Sequence, residues 1–517
     1  MNLLTDALFP VQRGEGEAHL PLPELLVALW RGDLQALLGV SSIQRQYLWR
    51  FLVRVAAHAS EAERGCLEHA DRLREILVEA AGAPGAWDLY RPDGGAAFLQ
   101  PPAQMEEGAP VDFKPEATSR LTVVPGDKNH EFKRGALVSL SATDVLLSLL
   151  EYQFGSVYTK MNYASQIMGS SSGKGSGSPF MAPWWPDLGR TFRAHLAASL
   201  ARADYTRDVL GLTGSVWALW TLPWDSGDPP LPAELLSPHF VPLARKVRLA
   251  SPDASGAFSR IWFKPTTAAR VADHTEGSGL GDPFTPFVAD GTRQKVRGVM
   301  SNGFDYREVA RLLLRVQVTG RAGAPSFAVE HAAQSSYEPT VPVLLEGMAF
   351  DQGKTLGFHR RVVQLPSEVA ADPAPIAVFV ASLLDAAKEA ESALEAAIRT
   401  WLSGTPKPRS GDLARIQRLR GDLTSRVDRA FIELLPRMHG RQGDEWIERM
   451  LEDWRRRLVK ECRGALERVM RATPTRVSIS HERRVGANSV LSARLRRAGL
   501  LGDQPEVVPV FEEIAHV

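Results

Sequence analysis

The chain has 517 residues, 44% of them hydrophobic and 23% charged, a globular composition with room for two or three domains. Its 61 basic against 60 acidic residues leave a formal charge of +1, which excludes a histone-like polycation and an acidic disordered tail. Of the basic residues 49 are arginine and 12 lysine. Arginine suits bidentate phosphate and base contacts, and in an alanine-rich chain it also follows from genomic base composition. Two cysteines, Cys66 and Cys462, can build neither a disulfide framework nor a cysteine zinc site. The start, Met1-Asn2-Leu3-Leu4-Thr5-Asp6, lacks the regions of a signal peptide, and no apolar run has the length of a membrane span. A soluble, cytoplasmic protein is expected.

In chain order, segments 22–38 and 43–57 carry apolar residues at helical spacing, and 61–81 reads as a third helix. Gly82-Ala83-Pro84-Gly85 stops it, and loops rich in Pro and Gly follow to residue 125. Segment 141–153 is an amphipathic helix that Ser141 or Thr143 can cap. The stretch 205–365 reads as strand-rich, with short β-branched or aromatic runs at 216–222, 260–263, 312–318, 341–345 and 357–364. At Pro373-Ala374-Pro375 the character changes. Helical patterns cover 376–402, 411–435, 443–471 and 486–498, separated by short Pro- and Gly-containing breaks, which predicts an antiparallel four-helix bundle. Residues 376–517 hold 25 basic and 20 acidic side chains, so the bundle is the basic half. The predicted fold is α+β, a large mixed N-terminal domain over 1–372 followed by the all-α bundle over 373–517.

The segment Met168-Gly169-Ser170-Ser171-Ser172-Gly173-Lys174-Gly175-Ser176-Gly177-Ser178-Pro179 stands out chemically. It is not a phosphate-binding P-loop, because position 168 is Met and position 175 is Gly where that motif needs Gly and Ser or Thr. Gly169-x-Ser171-x-Gly173 satisfies the nucleophile-elbow spacing, so a serine hydrolase, or another enzyme using the 169–177 loop, is the enzymatic alternative. Two further readings are a flexible linker and an anion-cradling loop. The second rests on many unobstructed backbone N–H groups beside the charge of Lys174.

Other chemistry is sparse. His130-Glu131 has no second His at metal-ligand spacing, so no metal and no cofactor are expected. His359, His481 and His516 stand alone. Arg455-Arg456-Arg457 fans out around a helix that turns about 100° per residue, so the three cannot share one ligand.

Taken together, these residues resemble the large-subunit (CasA) family of the type I-E CRISPR Cascade surveillance complex. The resemblance lies in the order of features: Asn2-Leu3-Leu4-Thr5-Asp6 with Phe9-Pro10-Val11 at the start, then Ala97-Phe98-Leu99-Gln100, then the Gly/Ser/Lys loop. Gly347-Met348-Ala349-Phe350-Asp351-Gln352 with Arg360-Arg361, and the terminal helices, complete it.

The resemblance implies a non-enzymatic subunit, partnered by Cascade subunits carrying CRISPR RNA, a double-stranded DNA target and a nuclease-helicase. Such a subunit recognises the protospacer-adjacent motif, helps start R-loop formation and recruits the nuclease in antiviral defence. It assigns motif contacts to Gly173, Lys174 and Gly175, a strand-separating wedge to Gln352, and loop contacts to Asn129 and His130. Arg270, or alternatively Lys264, takes the place of the family's basic finger. No cysteine cluster occurs at 250–257, so the zinc of some members is not expected. Arg415, Arg418, Arg456 and Lys460, chosen from charge and helical position, are expected on DNA backbone phosphates.

Overall fold

A computed structural model describes residues 1–122, 139–154, 179–225, 228–264, 270–271, 281–290, 293–318, 320–335, 338–351, 354–407, 413–438, 443–473 and 477–502. The chain divides into two compact units, Met1–Pro373 and Ala374–Val517. The fold is α+β, with small sheets confined among the described residues to the first unit.

The first unit is assembled around helices. Helix α1, Leu22–Arg31, buries Leu22, Leu25, Leu26 and Leu29 and stops at Gly32 in the left-handed region, φ 81°. The expected continuation to residue 38 is absent: Ala36–Leu37 instead pairs with the strand Phe9–Arg13, which also pairs with Gly16–Leu20. Helix α2, Ser42–Ala62, opens with a capping box between Ser41 and Gln44. It is buried on nearly every side, the mark of a central helix. The expected third helix is broken after Glu63, where Gly65 at φ 81° leads into a short turn over Cys66–Glu68, and α3 runs only over Ala70–Ala81. Helix α4, Ala142–Phe154, is capped by Ser141, whose Oγ accepts from the Asp144 N–H at 3.2 Å.

Helix α5, Leu188–Leu210, follows an Asp187 cap and has no counterpart in the sequence reading. The expected strand at 312–318 is corrected: its first residues close helix α6, Tyr306–Leu313. There the Asp305 carboxylate caps the first turn by accepting from Arg307 and Glu308 N–H groups, and Arg315 then reverses the chain at φ 53°. Of the run at 216–222 only Val216–Ala218 is strand. Helices α7, Phe327–Ser335, and α8, Ser367–Ala371, complete the unit.

Two antiparallel sheets carry chemically notable residues. In one, the long hairpin Thr340–Asp351/Lys354–Pro366 carries the strand Phe180–Pro183 on its other edge, with Glu346 opposite Phe180. In the other, Arg260–Lys264 lies between Lys246–Leu249 and Lys114–Ala117.

The second unit contains α9, Ala374–Ser403, α10, Leu413–Leu434, α11, Asp444–Ala472, and α12, Val477–Arg497. Helix α9 packs against the other three. Its buried Ala387, Ala390, Ala393 and Ala397 let neighbouring helices approach closely around Leu383, Leu394 and Ile398. The last helix begins at Val477 rather than at 486. Gly486 continues it, and a Cβ there would meet only Thr400 of α9, at 3.5 Å.

Two glycines test this packing in opposite directions. A Cβ on Gly189, in the first turn of α5, would stand 2.4 Å from Gly32 Cα at the end of α1, whereas one on Gly421 in α10 meets nothing within 4 Å. Gly189→Ala is expected to destabilise by about 1–3 kcal/mol through overpacking. Gly421→Ala is expected to stabilise by about 1 kcal/mol through helix propensity. Denaturant unfolding measures both, and equal effects would contradict the packing described.

Candidate nucleic-acid interface

Helix α2 supplies a buried ionic clamp. Arg50 donates through Nε to Asp282 Oδ2 at 2.9 Å, through Nη1 to Gln46 at 3.2 Å, and through Nη2 to the Pro179 carbonyl at 3.0 Å. Arg54, one turn on, donates to Asp282 Oδ1 at 3.4 Å and to the Phe240 carbonyl at 3.3 Å. Thr285 donates its hydroxyl to the same carboxylate at 2.6 Å. Both arginines are 3% exposed and Asp282 is 1% exposed. Burial pulls the Arg54 guanidinium down to about 10, with Asp282 opposing the fall.

The clamp fixes chain ends that sequence places far apart. Pro179 is the first described residue after the Gly/Ser/Lys segment, and Asp282 follows segment 272–280. The same helix also holds the hairpin: Arg45 forms an ion pair with the buried Glu346, and Arg360 approaches that carboxylate at 3.9 Å. Burial raises the Glu346 pKa, and Arg45 opposes this. Gly347, next along, passes so close to Pro179 that a Cβ would lie 3.2 Å from its Cα. The hairpin register runs to Asp351 opposite Lys354 with a bulge after Ala349, leaving Gln352 and Gly353 to connect the strands.

Neutral side chains peg the remaining backbone. At the end of α4, just before residue 155, Gln153 donates to the Leu99 and Arg245 carbonyls, both at 3.0 Å. Its Oε1 accepts the Ala244 and Arg245 N–H groups. Gln100, inside the Ala97–Gln100 segment, donates to Leu89 and Phe98 carbonyls and accepts from Leu249 N–H at 2.7 Å. Its role is structural. His195 accepts the Trp49 indole N–H at Nδ1, 2.7 Å, and its Nε2 faces the Pro183 carbonyl at 2.7 Å, which sets the ring as an Nε2–H donor. Burial pulls its pKa down to about 3, so it is neutral. Leu140, after segment 123–138, exchanges two 2.8 Å hydrogen bonds with Phe258.

The sequence-assigned residues fall into three groups. Gly173, Lys174, Gly175, Asn129, His130 and Gln352 lie outside the described residues, as does Ser171. Arg270 is 2% exposed, its guanidinium donating to the Pro223 carbonyl at 2.8 Å and to the Leu222 carbonyl at 3.4 Å. Burial lowers its pKa to about 10. Lys264, at a strand end, pairs with Asp112 at 3.4 Å. On the second unit, Arg415, Arg418 and Lys460 are exposed and form no ion pair among the described residues. Arg456 is engaged by Glu452 at 3.2 Å and Asp453 at 3.6 Å. Sequence reasoning missed Arg45, Arg50, Arg54 and Asp282; Arg50 and Arg54 share a helix face at i, i+4, but nothing in the chain points to Asp282, 232 residues beyond Arg50.

A serine–histidine–carboxylate string does occur, with Ser199 Oγ 3.5 Å from His239 Nδ1 and His239 Nε2 3.2 Å from Glu61. Ser199 and His239 are 5% and 2% exposed, so the string is sealed from substrate. Among the described residues no His, Cys, Asp and Glu group could hold a metal ion, and no helix is long and apolar enough to cross a membrane.

The family model described as CRISPR-associated protein Cse1 matches residues 2–465. No curated protein matches the chain. Among solved structures, CasA of Thermus thermophilus superposes with TM-score 0.65 at 17% identity, over 96% of this chain and 99% of that one. Cse1 of Acidimicrobium ferrooxidans gives 0.66 at 14% identity, over 96% and 98%. Cse1 of Thermobifida fusca gives 0.65 at 15%, over 97% and 99%. At these identities the structures bear on the fold.

Removing the clamp carboxylate tests the construction of the interface. Asp282→Ala leaves two buried guanidinium groups without their counter-ion and is expected to destabilise the chain by about 3–5 kcal/mol. Denaturant unfolding measures this, and a loss below about 1 kcal/mol would contradict the clamp.

Proposed function

The chain belongs to the Cse1 family of CRISPR-associated proteins, the large-subunit family of Cascade, and on that premise we propose that it reads the protospacer-adjacent motif in duplex DNA. In this reading it also starts strand separation and receives the nuclease-helicase, while base pairing with CRISPR RNA reads the remaining sequence. The observation that carries the reading is the convergence on α2. One helix holds the end of the Gly/Ser/Lys segment, Asp282 two residues past segment 272–280, and the hairpin whose connection is Gln352-Gly353.

Each proposed contact has a physical basis. Gly173 and Gly175 lack side chains that would bar the backbone from a minor groove about 6 Å wide, and Lys174 brings a charge to acceptors there. Gln352 is a flat, neutral wedge that can replace lost stacking without burying a charge. Asn129 and His130 extend the contact from segment 123–138. Lys264 is the better-placed finger, because the Arg270 guanidinium is already bound to carbonyls. Arg415, Arg418 and Lys460 suit sequence-independent phosphate contacts, and Arg456 does so only by leaving its carboxylates. No step in this reading requires a nucleophile or a metal.

Gly173→Asp places a carboxylate where phosphates are expected. In the RNA-loaded complex it should weaken motif-dependent duplex binding roughly 100-fold, since like charges in contact cost several kcal/mol, with folding unchanged. Mobility-shift titration measures this; wild-type affinity would show that the segment is only a linker.

A further inference from the structure

Helix α12 is strongly basic, with Arg483, Arg484, Arg494, Arg496 and Arg497 against the single acid Glu482. Residues 503–517 beyond it carry Asp503, Glu506, Glu512 and Glu513 and no lysine or arginine. A basic helix is thus followed by an acidic tail. The helix ends in a Schellman motif: Gly499, at φ 67°, donates to the Arg496 carbonyl, and Leu500 donates to the Leu495 carbonyl. This turn takes the chain off the helix axis.

Near the other end of α12 a cavity of about 470 Å³ opens to solvent. Trp401 of α9, Glu467, Met470 and Arg471 of α11, and His481 and Arg484 of α12 line it. Its buried side is apolar. Trp401 is 4% exposed and donates its indole N–H to the Thr473 carbonyl and hydroxyl, each at 3.0 Å, so the ring offers the cavity only carbon. The exposed rim is cationic. Arg471 meets Glu467 at 3.5 Å, and Arg484 forms no ion pair or hydrogen bond among the described residues. Two guanidinium groups therefore share one carboxylate, and each keeps N–H donors for a further acceptor.

An apolar wall below unmatched guanidinium groups suits an aromatic side chain that adjoins a carboxylate. After Trp454 the chain has one aromatic residue, Phe511, and Glu512 and Glu513 follow it directly. The reach is sufficient. From Arg497 back to Arg484 is about 20 Å of helix, and the chain from Gly502 to Phe511 can span about 30 Å.

We propose that the cavity lined by α9, α11 and α12 is the docking site of the chain's own segment 510–513. Phe511 lies against Met470 and Trp401, and the Glu512 and Glu513 carboxylates meet Arg484 and Arg471. Docked in this way, the tail supplies the counter-charge that α12 lacks and covers the cavity where α11 and α12 meet. No DNA contact enters this inference, so it stands or falls apart from motif reading.

Disulfide trapping in the full-length chain tests it. His481→Cys places a thiol at the rim and Val510→Cys one beside Phe511, while the native Cys66 and Cys462 are 1% and 0% exposed. Under mild oxidation this pair should close within one chain. The control pair, Ser425→Cys with Val510→Cys, has its first thiol exposed on α10. It should close roughly tenfold more slowly, after correction for each thiol's own reactivity, because docking raises the effective concentration only at the cavity. Adding Phe511→Ser to the trapping chain should slow closure roughly tenfold, through loss of a buried aromatic side chain. Adding Arg484→Glu should slow it roughly fivefold, as a surface ion pair becomes a repulsion. Circular dichroism should show the fold unchanged in both. No closure at position 481, equal rates at 481 and 425, or a rate indifferent to both added substitutions overturns the docking and leaves the cavity to an acidic partner protein. A disulfide joining two chains, rising with protein concentration, also overturns it and assigns the cavity to the tail of a second copy.

Discussion

The construction of the first unit depends on Asp282 and its two arginines. Arg50 and Arg54 project from α2, itself almost wholly buried, into a region where an unpaired charge is costly. Asp282 satisfies both, and the remaining donors go to the Pro179 and Phe240 carbonyls and to Gln46. The clamp therefore works through direction. It holds two backbone carbonyls, of Pro179 and Phe240, and the Asp282 side chain at one helix, where apolar packing alone would tolerate sliding. The Arg45–Glu346 pair extends the same principle by one turn to the hairpin.

Around the clamp the chain solves a second problem. Segments entering and leaving loops carry buried backbone groups that no helix or sheet can pair. Gln153, Gln100 and His195 satisfy them with amide or imidazole groups that present donor and acceptor together. Each is neutral, so none adds a buried charge. The described residues that flank segments 123–138, 155–178 and 272–280 are thereby held by specific hydrogen bonds.

Legibility from sequence follows the physical origin of each element. Helices α9, α10 and α11 are readable to within a few residues, because long 3.6-residue periodicity is bounded by Gly and Pro breaks. The pattern places the start of α12 at Gly486, yet the helix already begins at Val477 and runs through this glycine, which faces Thr400 of α9. The run at 312–318 is apolar, with three leucines before Val316 and Val318, but the Asp305 cap and burial of Val309, Leu312 and Leu313 favour helix over its first residues. Helix α5 carries its apolar residues diluted with Arg, His and Ser, which hides the period. Arg50 and Asp282 lie 232 residues apart, so only the fold could unite them. Arg270 stands out in sequence for its charge, whereas its neighbours Pro223 and Trp224 emerge only from the folded chain.

The central claim is that the segments between these held residues meet duplex DNA. Hydrogen exchange on the RNA-loaded complex, with and without a motif-bearing duplex, tests it most directly. The account predicts slowed exchange on DNA binding in segments 155–178 and 348–358, with α2 unchanged because the clamp already protects it. Slowed exchange confined to residues beyond 373, with those two segments unaffected, would contradict it.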